Sequence, residues 1–224
     1  MTTLPRPRAV FFDLDGTLAD TADDLAAPIN AIRAERGMAP LPIAELRPFA
    51  STGARGLIGR GLGCQPGDAE FDALRADFLA RYERDIVVRT RLFDGMPELL
   101  LRLEAEGIRW GIISNKIERY VRIIAERLDL AARAAVALGG DSAPRPKPHP
   151  DLLLLALQRT GLAGADCIYV GDDHRDVVAG QAAGMRTVAA AYGYCGADRP
   201  PERWGADALI HAPSALAAVI GLAD

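Results

Sequence analysis

Cysteine is scarce and unpaired: Cys64, Cys167 and Cys195 are the three in 224 residues. Their odd number and the absence of any C-x-x-C spacing support neither a disulfide framework nor a zinc site. Clusters of basic charge are missing as well. The 26 lysines and arginines are dispersed among 30 acidic residues, for a net charge of −4, so nothing marks a nucleic-acid partner. No apolar run approaches the roughly 20 residues that cross a bilayer, and residues 1–8 lack the hydrophobic segment of a secretory signal. The expectation is a cytoplasmic protein whose partner is a small molecule, with no membrane and no nucleic acid involved.

What is present begins with Val10-Phe11-Phe12-Asp13-Leu14-Asp15-Gly16-Thr17-Leu18. The apolar run predicts a short buried strand, and Gly16-Thr17 end it, leaving two aspartates at its carboxyl end. Side chains two apart on a strand point the same way. Asp13 and Asp15 therefore aim two carboxylates into one volume, where they repel each other unless a cation or a shared proton is present. Such a site favours Mg²⁺. A polar turn after a strand is the alternative use of the same residues.

Downstream, residues 20–90 carry only helical spacing. Leu25, Ile29 and Ile32 precede Gly37, Leu57 and Ile58 follow Ser51-Thr52-Gly53, and Phe71, Leu74, Phe78 and Tyr82 lie within 68–84. Beyond residue 91 strands alternate with helices. Strands are predicted at 109–113, 135–138, 167–170, 187–191 and 208–210, and Cys167 falls inside one of them as a core residue. This alternation predicts an α/β fold with a doubly wound parallel sheet. The expected organisation is a Rossmann-like catalytic core from residues 1–19 and 91–224, with an inserted all-helical cap at 20–90 acting as a lid.

Ligands of such sheets bind beyond the carboxyl ends of the strands. Ser114-Asn115 follow one strand, a hydroxyl and an amide beside a helix start, suited to a phosphate oxygen. Pro144-Arg145-Pro146-Lys147-Pro148 presents an ammonium on a stiffened backbone, and Gly171-Asp172-Asp173-His174-Arg175-Asp176 adds carboxylates for a metal. Taken singly, Ser114 also serves as an N-cap, Lys147 as a solvated loop lysine and the acidic run as an exposed turn. Together, each at a strand end and in this order, they describe one site.

Asp13-Leu14-Asp15-Gly16-Thr17, Ser114-Asn115, Lys147, and Gly171-Asp172-Asp173 with Asp176 resemble the four motifs of the haloacid dehalogenase-like superfamily of phosphohydrolases. The resemblance implies that Asp13 is a nucleophile forming an aspartyl-phosphate, and that Asp15 protonates the leaving oxygen and then activates water. It implies that Ser114 and Lys147 hold phosphoryl oxygens, with Asn115 beside them at the substrate. Mg²⁺ would sit on the Asp13 carboxylate, the Asp15 carbonyl and Asp172, with Asp173 and Asp176 behind, either of them able to reach the metal. True dehalogenases lack an aspartate at the position of Asp15, so phosphate chemistry is favoured.

Ser51-Thr52-Gly53-Ala54-Arg55-Gly56 resembles the cap segment of the phosphoglycolate phosphatase-like subgroup, where Arg55 would suit a substrate carboxylate; the other reading of Arg55 is a solvated helix residue. His149 and His174 either orient a phosphate or fill a polar rim, the rim being favoured, and Arg175 either reaches the mouth of the site or pairs with nearby acids. The stretches 93–100, 192–194 and 204–207 look more like bacterial N-acetylmuramic acid 6-phosphate phosphatases. Both substrates carry a phosphomonoester and a carboxylate. The expectation is a small-molecule phosphatase of the phosphoglycolate type, with the amino-sugar phosphate as the alternative. A non-catalytic interaction module is disfavoured because all four motifs are intact.

Overall fold

The structure, a computed structural model, describes residues 3–196 and 199–222. β1 (Ala9–Phe12) leads into β2 (Ala19–Asp20), and then α1 (Ala22–Glu35), α2 (Ile43–Leu46), α3 (Gly53–Leu62) and α4 (Phe71–Arg84) follow before β3 (Arg91–Leu92). The remainder alternates: α5 (Met96–Ala105), β4 (Arg109–Ile113), α6 (Glu118–Arg127), β5 (Ala137–Leu138), α7 (Asp151–Thr160), β6 (Cys167–Gly171), α8 (His174–Ala182), β7 (Arg186–Ala190), β8 (Ala208–Ile210) and α9 (Ala215–Val219). The main sheet is parallel throughout, in the order β5-β4-β1-β6-β7-β8. This is the doubly wound α/β fold expected from the alternation.

β1 lies at the point where the winding changes direction, with β4 on one side and β6 on the other. Its four residues are all buried, as a central parallel strand covered on both faces requires. Val10 and Phe12 pack into the apolar layer on one side of the sheet, Ala9 and Phe11 into the layer on the other. Each buried phenylalanine contributes about 2–3 kcal/mol, enough to hold this short strand in one register. The crevice at its carboxyl end is where such sheets bind ligands. Cys167 is buried in the second layer, as expected, and burial pushes its thiol up to about 11.

Between 20 and 90 the structure departs from the sequence reading in one respect. β2 and β3 pair antiparallel, Ala19 with Leu92 and Asp20 with Arg91, where the chain leaves the core and returns. Four helices follow β2, and α4 meets the core through Tyr82, whose ring lies edge-on to Tyr120 of α6 with centroids 5.7 Å apart. Among the described residues no helix is long and apolar enough to cross a membrane.

Asp24, in the first turn of α1, is buried and joins the two ends of the helical insertion at its base. Its carboxylate accepts from the backbone N–H groups of Val88, Arg89 and Thr90 and from the Thr90 hydroxyl, at 2.7–3.0 Å. Asp24→Ala leaves those donors without an acceptor, each costing about 1 kcal/mol or more. The expected loss is about 3 kcal/mol, a fall in melting temperature of roughly 6–12 °C for a chain of this size. A thermal melt with a change under about 2 °C would show that water replaces the carboxylate.

Candidate active site

Asp13 is the residue after β1, and its backbone N–H continues the ladder to Val170 O at 2.9 Å. Its carboxylate, 7% exposed, faces the Lys147 ammonium at 3.0 Å from Oδ1. Lys147 is 4% exposed and also donates to Asp176 Oδ1 at 2.7 Å, to the Tyr169 hydroxyl at 2.8 Å and to Ile113 O at 3.3 Å. Burial alone would lower its pKa, but the carboxylates of Asp13 and Asp176 outweigh that and raise it. Lys147 is therefore a buried ammonium among acids rather than a solvated loop residue.

Asn115 explains how the lysine is held. Its Oδ1 accepts from the Lys147 N–H at 2.8 Å and its Nδ2 donates to Lys147 O at 2.9 Å, a two-way clamp on the backbone. Asn115, which also lines the cavity, is therefore a positioning residue for Lys147, with one Nδ2–H left over. Ser114 is buried beside it, its Oγ accepting from Lys116 N at 3.3 Å. α6 begins only at Glu118, with Ile117 as its N-cap. Residues 114–117 are a loop rather than the expected helix start, because Asn115 and Lys116 are drawn toward Lys147 and Asp15.

Asp13, Asp172 and Asp176 bring ligand atoms within 4.8 Å of one another. Asp172 is fully buried; Oδ1 accepts from Thr17 at 2.9 Å, and Oδ2 from Tyr194 N at 2.8 Å and from the Ser51 hydroxyl at 3.3 Å. Backbone closes tightly round it: a Cβ on Gly193 would lie 2.3 Å from Asp172 Cβ, and Gly16, at φ +88°, would put one 2.2 Å from Oδ2. Burial, reinforced by the charges of Asp13 and Asp176, pushes Asp172 well above the usual carboxylate range. Burial likewise pushes Asp176 up to about 7, against the opposing pull of Lys147 and with Asp13 adding to the rise. Asp13 Oδ1 is buried with no hydrogen-bond donor aligned on it, Lys147 being an ion-pair neighbour only. Mutually repelling carboxylates with an orphaned oxygen fit a divalent cation.

Asp173 and Asp176 part company here. Asp173 caps α8, accepting from Arg175 N at 2.8 Å, and pairs with the Arg175 guanidinium at 2.7 Å. Asp176 closes the capping box from Oδ2 to Asp173 N at 3.0 Å while Oδ1 faces Lys147. Asp176 thus joins the cluster with Asp13 and Asp172, whereas Asp173 is turned to Arg175. Arg175 also donates to Ser51 O at 2.9 Å. Ser51 therefore ties the helical insertion to the site twice, once through its carbonyl and once through its hydroxyl.

Asp15 is engaged separately. Its carboxylate accepts from Lys116 Nζ at 2.9 and 3.1 Å and from the Thr21 hydroxyl at 2.5 Å. The Lys116 ammonium in turn lies 4.7 Å from the centre of the Tyr82 ring of α4. Above these groups lies a cavity of about 290 Å³, walled on the core side by Asp13, Ser114 and Lys147 and on the other by Arg55, Arg75 and Phe78. Arg55 therefore faces the same cavity as Asp13. His149 is exposed and outside it, and His174 lines an outer groove, 3.3 Å from Arg199.

Residues 10–190 match the family model of haloacid dehalogenase-like hydrolases. The chain belongs to this family. This hydrolase is 45% identical, over 94% of its length, to a phosphoglycolate phosphatase of Xanthomonas campestris pv. campestris, of which 95% is covered. It is 41% identical, over 96% of its length, to an N-acetylmuramic acid 6-phosphate phosphatase of Pseudomonas putida, of which 96% is covered. Its fold matches the crystal structure of a predicted phosphoglycolate phosphatase from Haemophilus somnus with a TM-score of 0.83 at 25% identity, covering 95% of this chain and 97% of the other. The hydrolase acts on phosphoric monoesters.

Several residues of this hydrolase's site were not singled out from sequence. Lys116 follows the Ser114-Asn115 motif directly, and in an extended segment it shares a side with Ser114, a signal that was there to be used. Thr17 and Tyr194 hold Asp172, and Tyr169 accepts from Lys147. Tyr194 also binds the start of the helical insertion, its hydroxyl accepting from Thr21 N at 2.7 Å. Thr17 lies within the first motif and Tyr194 within the stretch 192–194, but nothing local names Asp172 as their partner, 155 and 22 residues away.

Proposed function

We propose that this hydrolase is a Mg²⁺-dependent cytoplasmic phosphatase that cleaves a small carboxylated phosphomonoester through an aspartyl-phosphate on Asp13. Residues 1–19 and 91–224 form its catalytic core and residues 20–90 its lid. The Asp13 carboxylate attacks phosphorus as the bond to the leaving oxygen breaks, and Asp15 gives that oxygen its proton. Asp15 then takes a proton from the water that attacks the aspartyl-phosphate, releasing inorganic phosphate and restoring Asp13. Ser114 and Lys147 hold the phosphoryl oxygens, Asn115 fixes the Lys147 backbone, and Thr21 with Lys116 fixes Asp15. Held by the Asp13 and Asp172 carboxylates and the Asp15 carbonyl, with Asp176 adjoining, Mg²⁺ would supply positive charge for the transferring group. The observation that carries the reading is the buried Asp13–Lys147 pair at the carboxyl end of β1, 3.0 Å apart beside two further acids.

The substrate is 2-phosphoglycolate or a close analogue on this reading, and a second reading, N-acetylmuramic acid 6-phosphate, has the cavity in its favour. Leu25, Phe78, Leu79 and Ile117 give the roughly 290 Å³ space an apolar wall, which a two-carbon acid would leave facing water and a sugar ring would cover. Mg²⁺-dependent phosphate release from the two esters, measured side by side, separates them. A kcat/KM advantage of about 100-fold for one, equal to about 2.7 kcal/mol of transition-state binding, names the class. Low and equal rates on both would overturn the carboxylate reading. In Arg55→Ala the ratio of carboxylated to aryl phosphate turnover is expected to fall, and an unmoved ratio would leave Arg55 as a solvated helix residue.

A further inference from the structure

We propose that Arg75 reads a carboxylate at the far end of the substrate's leaving alcohol, and that α4 sets the distance between that carboxylate and the phosphoryl group. The inference rests on the phosphatase reading above and, within it, on the second substrate, the carboxylated amino-sugar phosphate. Arg75, Phe78, Leu79 and Tyr82 recur on α4 at intervals of three and four residues, and all line the cavity; they form one helix face. Tyr82 marks the end near the chemistry, since the ammonium over its ring is the one that holds Asp15. Arg75 lies seven residues earlier, about 10 Å along the helix axis. Both side chains lean toward the helix N-terminus, so the offset persists at their tips. Phe78 and Leu79 fill the interval with apolar surface. Outward from Asp15 the face therefore offers a hydroxyl, an apolar step and a guanidinium.

Two observations indicate that this face awaits a ligand. The first is charge. Lys147 is matched by Asp13 and Asp176, Lys116 by Asp15 and Arg175 by Asp173. Arg75, an exposed residue of the cavity wall, has no ion pair or hydrogen bond among the described residues. Arg55 is likewise unmatched, but it also borders the outer groove, which places it at the mouth. The second is the Tyr82 hydroxyl, which lines the cavity on a residue 2% exposed and has the Lys116 ammonium as a polar neighbour rather than a neutral acceptor or donor. A substrate hydroxyl or amide would use the hydrogen-bonding capacity that remains on this oxygen. The leaving group that fits is sugar-sized, polar near the bridging oxygen, with its carboxylate beyond an apolar stretch. A two-carbon acid carries its carboxylate beside the bridging oxygen and does not reach Arg75.

The test uses the full chain with Mg²⁺, its Arg75→Met and Arg75→Lys variants, and four probes: N-acetylmuramic acid 6-phosphate, N-acetylglucosamine 6-phosphate, 2-phosphoglycolate and p-nitrophenyl phosphate. The first two differ by the distal carboxylate. Their kcat/KM ratio is expected to fall roughly 10- to 100-fold in Arg75→Met, chiefly through KM, as for the loss of one charge-assisted contact. Arg75→Lys should restore most of it, while the ratio of the last two probes stays fixed. An unmoved first ratio, an equal loss on all four probes, or a wild-type preference for 2-phosphoglycolate would overturn the inference. Phosphate release from none of the probes would instead overturn the phosphatase reading on which it rests.

Discussion

Asp13→Asn is expected to lower kcat by at least about 10³-fold while leaving the fold in place. The amide keeps the shape of the carboxylate but has no charge with which to attack phosphorus, and it gives up an anionic ligand from the acidic cluster. Stability should change little because two effects oppose each other. Lys147 loses an ion pair at 3.0 Å but keeps Asp176 at 2.7 Å and the Tyr169 hydroxyl at 2.8 Å. Asp172 and Asp176, meanwhile, lose a buried like charge that raises both their pKa values. The backbone hydrogen bond from Asp13 to Val170 is untouched by the change. Phosphate release and a thermal melt on the same preparation check the two halves. Residual turnover above a few per cent of wild type would remove Asp13 from the nucleophile's role, and a large fall in melting temperature would make it a structural residue first.

Asp13 could be found from sequence because the chemistry sits on the part of the fold with the strongest local signal. Phe11 and Phe12 mark a buried strand, and Gly16, which adopts a positive φ against Asp172, marks where it stops. Strands β4, β6 and β7 each have a five-residue run, enough for a period to register, so the ends that carry Ser114 and Asp172 were legible too. β2 and β3 were not: two residues each carry no period, and what makes them strands is their pairing across some 70 residues. Asp24 illustrates the same limit for a side chain. An acid in the first turn of a helix is ordinary for its interaction with the helix dipole, and nothing near it announces donors at 88–90. Asn115 is expected at the substrate as an amide beside a helix start, and the structure adds a partner that no local pattern announces. That partner is the backbone of Lys147, 32 residues away. Arg75 is an exposed helix arginine that nothing in the sequence sets apart from a solvated one; only the fold places it in line with Phe78, Leu79 and Tyr82 on the cavity wall.

Lys147→Met should produce the second large effect, on both activity and stability. The methionine approximates the length of the lysine stem but brings no charge to the transferring phosphoryl group. Losing one preorganised donor of this kind typically lowers kcat by about 10²–10³-fold. Stability falls because breaking a buried ion pair leaves its partners uncompensated, usually by about 3–5 kcal/mol. Here the cluster can discharge part of that by binding protons, which fixes the sign of the pH dependence. Asp176 is pushed up to about 7 in the folded protein, above its unfolded value, and Lys147 is what holds it from rising further. The stability such a group contributes is present below its unfolded pKa and is lost as pH rises through the folded one. The metal-free variant should therefore lie closest to wild type near pH 5 and furthest below it near pH 8. At the higher pH a deficit of about 3 kcal/mol would lower the melting temperature by roughly 6–12 °C. Mg²⁺ should recover part of it there, because a bound cation replaces the missing charge and stabilises only the folded state. Melts of both proteins at the two pH values, with and without Mg²⁺, test each step. A deficit independent of pH would mean that Lys147 acts through packing, and no response to Mg²⁺ would detach Asp13, Asp172 and Asp176 from the metal.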